Sequence, residues 1–281
     1  MARVCSDTKR QLGAILHGNR DLGGFALYNR RLISLILPAY NEAGRIRSTV
    51  EQALAYFDDR RLRCEIVVPA DGDDGTREIV RELGLRRPGV TAIGGVQRRG
   101  KGRGIREAVA LAQGEIIGFA DADNKVPIQD YAKIETALAD GIDVVVGSRG
   151  LADSRIERSQ PFYRQLGGQA FGLWLRAVTG LTLRDTQCGF KFFPAAVARD
   201  LFTRQQIDGY MFDAEILYIA HKLGYSIREV PVRWRDDGDS RLNLISGNVK
   251  NFKDVLRIRA MHSHLHEKVR ADKSRIEVAN R

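Results

Sequence analysis

The residues best equipped for chemistry are the carboxylate pair Asp121-Ala122-Asp123, which ends the apolar run Glu115–Ala120. Residues i and i+2 of a strand point the same way, so the two carboxylates converge on one spot. Like charges that close repel unless a cation lies between them. A hard divalent ion, held by one or two carboxylates plus diphosphate oxygens, suits such a pair. The plainer alternative is a solvated loop whose aspartates cap the next helix. A second feature is the turn Arg99-Gly100-Lys101-Gly102-Arg103-Gly104. Backbone N–H groups at the N-terminus of a following helix, together with the Lys101 ammonium, would attract a phosphate. The glycine order is that of neither a P-loop nor a dinucleotide fingerprint, and a flexible basic turn reads the same way. Arg149, Arg164, Arg235 and Arg241 stand in polar stretches of the second half. Guanidinium groups suit bidentate phosphate contacts, although any one of them taken alone reads as a solvated surface arginine.

These groups need a scaffold, and the hydrophobic pattern supplies one. Arg31–Tyr40 is a short apolar run ended by Pro38, as a strand buried on both faces reads. Ile46, Val50, Ala53, Leu54 and Phe57 follow on one helical face. Strand signals return at Cys64–Val68, Val90–Ile93, Glu115–Ala120 and Val144–Val146, with helical stretches between them. The alternation predicts an α/β fold with a mostly parallel central sheet flanked by helices and right-handed crossovers. Ligands then belong at the carboxyl ends of the strands. Polar residues stand at those ends: Tyr40-Asn41-Glu42, Asp71-Gly72-Asp73, Asp121-Ala122-Asp123 and Ser148-Arg149. The second half is less regular, with helices around Phe171–Val178 and Ala214–Leu223, a loop at Arg184–Gly189 and a strand at Ile227–Trp234.

Composition narrows the function classes. The 281 residues carry 45 Lys+Arg against 35 Asp+Glu, a net charge of +10, and 43% are hydrophobic. That supports a real core and excludes disordered, collagenous and coiled-coil classes. No apolar run reaches the roughly 18–20 residues of a spanning helix, and no secretory h-region opens the chain, so a cytoplasmic protein is expected. Cys5, Cys64 and Cys188 form no C-x-x-C pair and are expected as reduced thiols. His17, His221, His262, His264 and His266 give no metal-ligand spacing with them, and the His262-x-His264-x-His266 run reads as surface. The basic balance favours an anionic partner. No nucleic-acid motif or basic cluster is present, so nucleic acid is not expected. The aromatics Phe190, Phe192, Phe193, Tyr210 and Phe212 read as core or cleft wall.

Taken in order, seven motifs resemble glycosyltransferase family 2: Leu37-Pro38-Ala39-Tyr40-Asn41-Glu42, Lys101-Gly102-x-Gly104, Asp121-Ala122-Asp123, Gly147-Ser148-Arg149, Asp185-Thr186-Gln187-Cys188-Gly189-Phe190-Lys191, Asp213-Ala214-Glu215 and Ser240-Arg241-Leu242. Within the family the chain is similar to the polyprenyl-phosphate sugar synthases of the dolichyl-phosphate glucosyl- and mannosyltransferase type. The resemblance implies a GT-A fold and inverting transfer of a hexose from a nucleotide sugar, of the UDP-glucose or GDP-mannose type, to a polyprenyl or dolichyl phosphate. By matching positions it implies that Pro38, Tyr40, Asn41 and Glu42 contact the nucleoside. Lys101 joins them on the donor, and Asp121, Ala122 and Asp123 hold the donor diphosphate with Mg2+ or Mn2+. Arg149, Arg235 and Arg241 match phosphate-binding positions, Arg164 matches an acceptor-side arginine, and Lys191 is grouped with them. The chain departs from the family after the second strand, where the usual paired aspartates are displaced to Asp71-Gly72-Asp73-Asp74. Asp71 is the residue that could still reach the base.

A phosphate monoester acceptor, with a second pKa of about 6, is already an oxyanion at neutral pH and requires no strong base. A hydroxyl acceptor would require one, and Asp185 or Asp213 would then serve, Asp185 foremost. The alternative function is a soluble family 2 enzyme acting on a small non-lipid acceptor. The organisation expected is an N-terminal extension over 1–31, a catalytic domain over 32–244 and a helical segment over 245–281. In that last segment Ile245, Val249, Phe252, Leu256, Met261, Leu265 and Val269 form an apolar stripe flanked by cations such as Lys253 and Arg257. The stripe fits either an anionic membrane surface on the inner face of the membrane or packing on the catalytic domain or on a second subunit in a homodimer.

Overall fold

A computed structural model describes residues 31–158, 162–235 and 246–265. The expected N-terminal extension lies almost entirely outside them, as do Arg241 and the stripe residues Ile245 and Val269; the side chains of Arg164 and Val249 are likewise not described. Strand β1 (Leu32–Ile36) and the short β2 (Ala39–Tyr40) are followed by α1 (Ile46–Asp59), β3 (Arg63–Asp71), α2 (Thr76–Arg86) and β4 (Val90–Ile93). Then come α3 (Lys101–Leu111), β5 (Ile116–Ala120), a 3-10 turn and α4 (Tyr131–Ala139), β6 (Val144–Ser148), β7 (Arg155–Arg158) and α5 (Phe162–Thr179). The chain continues with β8 (Phe190–Pro194), α6 (Ala195–Arg204), α7 (Phe212–Lys222), β9 (Ile227–Pro231), β10 (Arg233–Arg235) and α8 (Ser246–Met261).

The main sheet runs β2-β3-β1-β5-β8-β6-β9, with β4 also on β3. Every pairing in it is parallel except those of β8, which runs antiparallel between β5 and β6. β7 and β10 form a small separate parallel sheet. The expected α/β fold is therefore observed. The strands are short and apolar because helices cover both faces. One face packs Val50, Phe57, Val80 and Tyr131 of α1, α2 and α4 against Leu35, Ile66 and Phe192. The other packs Ile105, Leu201, Ile216, Val255 and Ile258 of α3, α6, α7 and α8 against Val67, Phe119 and Phe193.

Strand β8 was hidden in the sequence by Lys191, which breaks its aromatic run yet is fully buried. The C-terminal stripe also differs from its expected composition. Val255, Ile258 and His262 are buried, whereas Leu256 is 55% exposed and Phe252 38% exposed. Within α8 the buried face thus centres on Val255 and Ile258 rather than on Leu256, while the stripe residues Leu265 and Met261 do pack on the core and Phe252 rests on Phe171 and Trp174; His262 is core rather than surface.

Candidate active site

A cavity of about 770 Å³ opens where β1, β3, β5 and β6 end, as the strand-end rule requires. It is lined by Pro38, Tyr40, Glu42, Asp71, Lys101, Asp121, Ala122, Asp123, Arg149 and Asp213 among the residues named from sequence. Its wall also holds Arg99 of the basic turn and Tyr210, read from sequence as core or cleft wall, together with Arg45, Arg98, Lys125, Trp234 and Lys250, which no motif flagged. These come from loops, from β10 and from α8, far apart in the chain, so only the folded structure assembles them.

At the Asp121–Asp123 turn each carboxylate has an ammonium on it. Lys101 Nζ is 2.6 Å from Asp121 Oδ1, and Lys125 Nζ is 3.3 Å from Asp123 Oδ2. Burial raises the Asp123 carboxyl above the usual range, and the Asp121 charge raises it further, so the two acids do crowd one another. Burial works against the Lys101 ammonium, but the charges of Asp121 and Asp213 outweigh it and raise its pKa. Hard oxygens on two crowded carboxylates fit a Mg2+ or Mn2+ ion. No cluster of three or more His, Cys, Asp or Glu able to cage a metal exists among the described residues.

The end of the cavity at Tyr40 is held by side chains of the β3–α2 loop. Glu42 N donates to Thr76 Oγ1 at 2.9 Å and Ala43 N to Asp74 Oδ2 at 2.9 Å, fixing the turn after Tyr40. Asn41, at φ 55, sits outside the cavity lining, and its Oδ1 accepts from Asp73 N at 3.3 Å. Asp71 lines the cavity, but it accepts from Arg99 N at 2.7 Å, from the Arg99 guanidinium at 3.3 Å and from Gly95 N at 3.3 Å. The Arg98 guanidinium carbon lies 4.4 Å from the centre of the Tyr40 ring, and Nη2 donates to Tyr210 Oη at 3.0 Å.

The other end is held more tightly. Arg149 donates through Nε and Nη2 to both oxygens of Asp185, at 2.6 and 2.9 Å, and stacks 5.4 Å from the centre of Trp234. Burial alone would raise Asp185, but the Arg149 hydrogen bonds and charge win and hold its carboxyl below the ordinary range. Both oxygens are committed, so Asp185 is badly placed to accept a proton. Lys191, expected on the phosphate, instead donates to Asp213 Oδ1 and to Cys188 O, and neither charged partner is more than 4% exposed. Burial raises Asp213 despite the two lysines near it. Arg235 is exposed on β10, outside the cavity lining. Cys64 and Cys188 are free thiols, and burial pushes Cys188 up to about 12, so it is inert.

Comparison with known proteins agrees with this architecture. The model of glycosyl transferase family 2 matches residues 34–201. The chain is 34% identical over 230 residues to a dolichyl-phosphate beta-glucosyltransferase of Drosophila melanogaster, covering 75% of this chain and 69% of the relative. It is 32% identical over 245 residues to the human protein of that name, covering 81% and 74%. Among solved structures, mannosyl-3-phosphoglycerate synthase from Rubrobacter xylanophilus superposes with a TM-score of 0.64 at 18% identity, over 88% of this chain and 78% of that one. Glucosyl-3-phosphoglycerate synthase from Mycobacterium tuberculosis, in complex with Mg2+ and uridine diphosphate, does so with a TM-score of 0.60 at 20% identity, over 81% and 79%. The fold is GT-A. The chain belongs to glycosyl transferase family 2 and is a glycosyltransferase.

Proposed function

We propose that this enzyme transfers a hexose, with inversion, from a nucleotide sugar to a polyprenyl phosphate of the dolichyl phosphate kind. The observation that carries this reading is that the carboxylates able to deprotonate a hydroxyl acceptor, Asp185 and Asp213, are each spent on a cation. An acceptor that arrives already ionised makes a base unnecessary, and a phosphate monoester is mostly dianionic above its pKa of about 6. What remains for the protein is to bring two anions together, and Lys101, Lys125, Arg149 and Lys250 around one cavity do that. The names of the relatives supply the lipid class and favour glucose as the sugar.

Pro38, Tyr40 and Glu42 seat the nucleoside in this reading, and Arg98 shares its end of the cavity. Asp121 and Asp123 would hold a Mg2+ or Mn2+ ion, which when bound supplies Lewis-acid neutralisation of the leaving diphosphate. Lys101 and Lys125 give up their carboxylates as the donor enters and turn toward its phosphates. Arg149, fixed by Asp185 and Trp234, faces the acceptor phosphate. An acceptor oxygen then attacks the anomeric carbon from the face opposite the diphosphate, whose departure completes inversion. Lys191 neutralises Asp213 behind the cavity and does not touch the acceptor.

The acceptor is a lipid in this reading, so the enzyme works at a membrane surface. Among the described residues no helix is long and apolar enough to cross one. Exposed Leu173 on α5 and Phe252 and Leu256 on α8, beside the cations Lys253 and Arg257, suit an anionic leaflet. The test is a panel of nucleotide sugars offered with a short-chain polyprenyl phosphate, with Mg2+, with Mn2+ and with chelator. Divalent-dependent formation of a prenyl-phosphate hexose is expected. Full turnover in chelator overturns the metal assignment, and no lipid product with any donor overturns the acceptor.

A further inference from the structure

The buried His262 just past the end of α8 has no part in the chemistry above, yet it connects to the donor cavity. Its Nε2 lies 2.8 Å from Glu215 Oε1, and neither residue is more than 2% exposed. Glu215, on α7, already accepts from Gln206 N through Oε1 and from Ile207 N through Oε2, both at 2.8 Å. A carboxylate carrying two backbone N–H groups is an acceptor, so the imidazole donates from Nε2. Burying that carboxylate is costly unless its hydrogen-bonding capacity is used. The segment it pins continues into Asp208, Gly209, Tyr210 and Met211, which wall the cavity.

The same segment is the bed of the Lys101 turn. A Cβ at Gly100 would stand 2.2 Å from Asp208 O, and one at Gly102 would stand 2.5 Å from Ile207 O, so the turn lies against this backbone at a distance only glycine allows. Arg103 N also donates to Asp208 O at 3.3 Å. Lys101, between those two glycines, reaches Asp121.

We infer that His262 is a positioning residue for the donor cavity, acting through Glu215 to fix the 205–211 segment and with it Lys101. This rests on the donor assignment above, and the test separates the two. His262→Gln keeps an N–H donor of suitable reach, whereas His262→Asn is too short and His262→Leu has none. The first readout is hydrogen exchange of the intact protein, which requires no ligand. Leu and Asn variants should exchange about tenfold faster in 205–211 and 100–104 with the β-sheet unchanged, and Gln should match the parent. The second is titration with uridine diphosphate and guanosine diphosphate in the presence of Mg2+, monitored by calorimetry. Leu and Asn should bind about tenfold more weakly, with the loss in donor KM rather than in kcat. Parental exchange and affinity in His262→Leu would overturn the role. So would failure of all three variants to fold, which makes His262 a stability element, or a Gln variant as impaired as Leu. A parent that binds neither nucleotide counts against the donor assignment, while the exchange comparison still decides the fate of His262.

Discussion

The two ends of the cavity handle buried charge in opposite ways. At the proposed donor end Asp121 and Asp123 are 40% and 23% exposed, and each meets one lysine ammonium. At the acceptor end Asp185 takes a two-pronged Arg149 bonded to both its oxygens, and Asp213 and Lys191 are sealed from solvent. A lone ammonium on a partly exposed carboxylate is easily exchanged for another cation. A forked guanidinium contact or a sealed pair is not. In the proposed reaction the Asp121–Asp123 end would trade partners as nucleotide and metal come and go, and the Asp185–Asp213 end would hold one arrangement throughout.

That contrast is broken most severely at Lys191. Lys191→Met should cost about 3–5 kcal/mol of stability, because Asp213 is left buried and unpaired. The double variant with Asp213→Leu should recover much of the loss in a urea melt. Asp123→Asn should do the reverse, slowing transfer by about two orders of magnitude, near 2.7 kcal/mol. Its stability should hold or rise slightly, since a carboxyl whose pKa is raised on folding binds more protons in the native state and loses stability as pH rises through that pKa.

Next in size is Asp185→Asn, expected to cost about 2 kcal/mol at neutral pH. The folded-state pKa of Asp185 is depressed. Its contribution is therefore fully present above the unfolded value of about 3.9 and is lost as pH falls through the folded value. The variant should flatten the acid limb of a stability-against-pH curve below about pH 4. An unchanged limb would show that Arg149 is held by something else. The smallest effect belongs to the surface. Leu256→Glu should weaken co-sedimentation with anionic vesicles severalfold, leaving thermal stability within about 0.5 kcal/mol.

The Asp121–Asp123 end of the cavity was more legible in the sequence than the Asp185–Asp213 end, for a physical reason. Parallel strands covered on both faces read as unbroken apolar runs, so Leu32–Ile36 and Ile116–Ala120 announce themselves, and ligand residues follow at their ends. Strand β8 carries a buried lysine whose charge is satisfied by Asp213, 22 residues later, and nothing local signals that pairing. The motif that includes Asp185 and Lys191 was therefore visible, but which residues face the cavity was not. Arg98, Lys125 and Lys250 are surface-type residues by composition and join the site only through the tertiary arrangement of two loops and α8. In α8 the spacing of Phe252 and Leu256 marked an apolar stripe, but packing against α5 and α7 selects Val255 and Ile258 as the buried face.

An acceptor end with both its carboxylates already paired should accept only a nucleophile that comes ionised. The direct measurement compares a short-chain polyprenyl phosphate with the matching prenyl alcohol, and with a small phosphorylated acid, under one nucleotide sugar and saturating Mg2+, between pH 7 and pH 9. Transfer to the prenyl phosphate alone is expected, at a rate nearly flat across that window because the second phosphate pKa of about 6 is already passed. Transfer to the alcohol, rising about tenfold per pH unit as a base-dependent reaction does, would contradict it, and preference for the small acid would point to the soluble alternative.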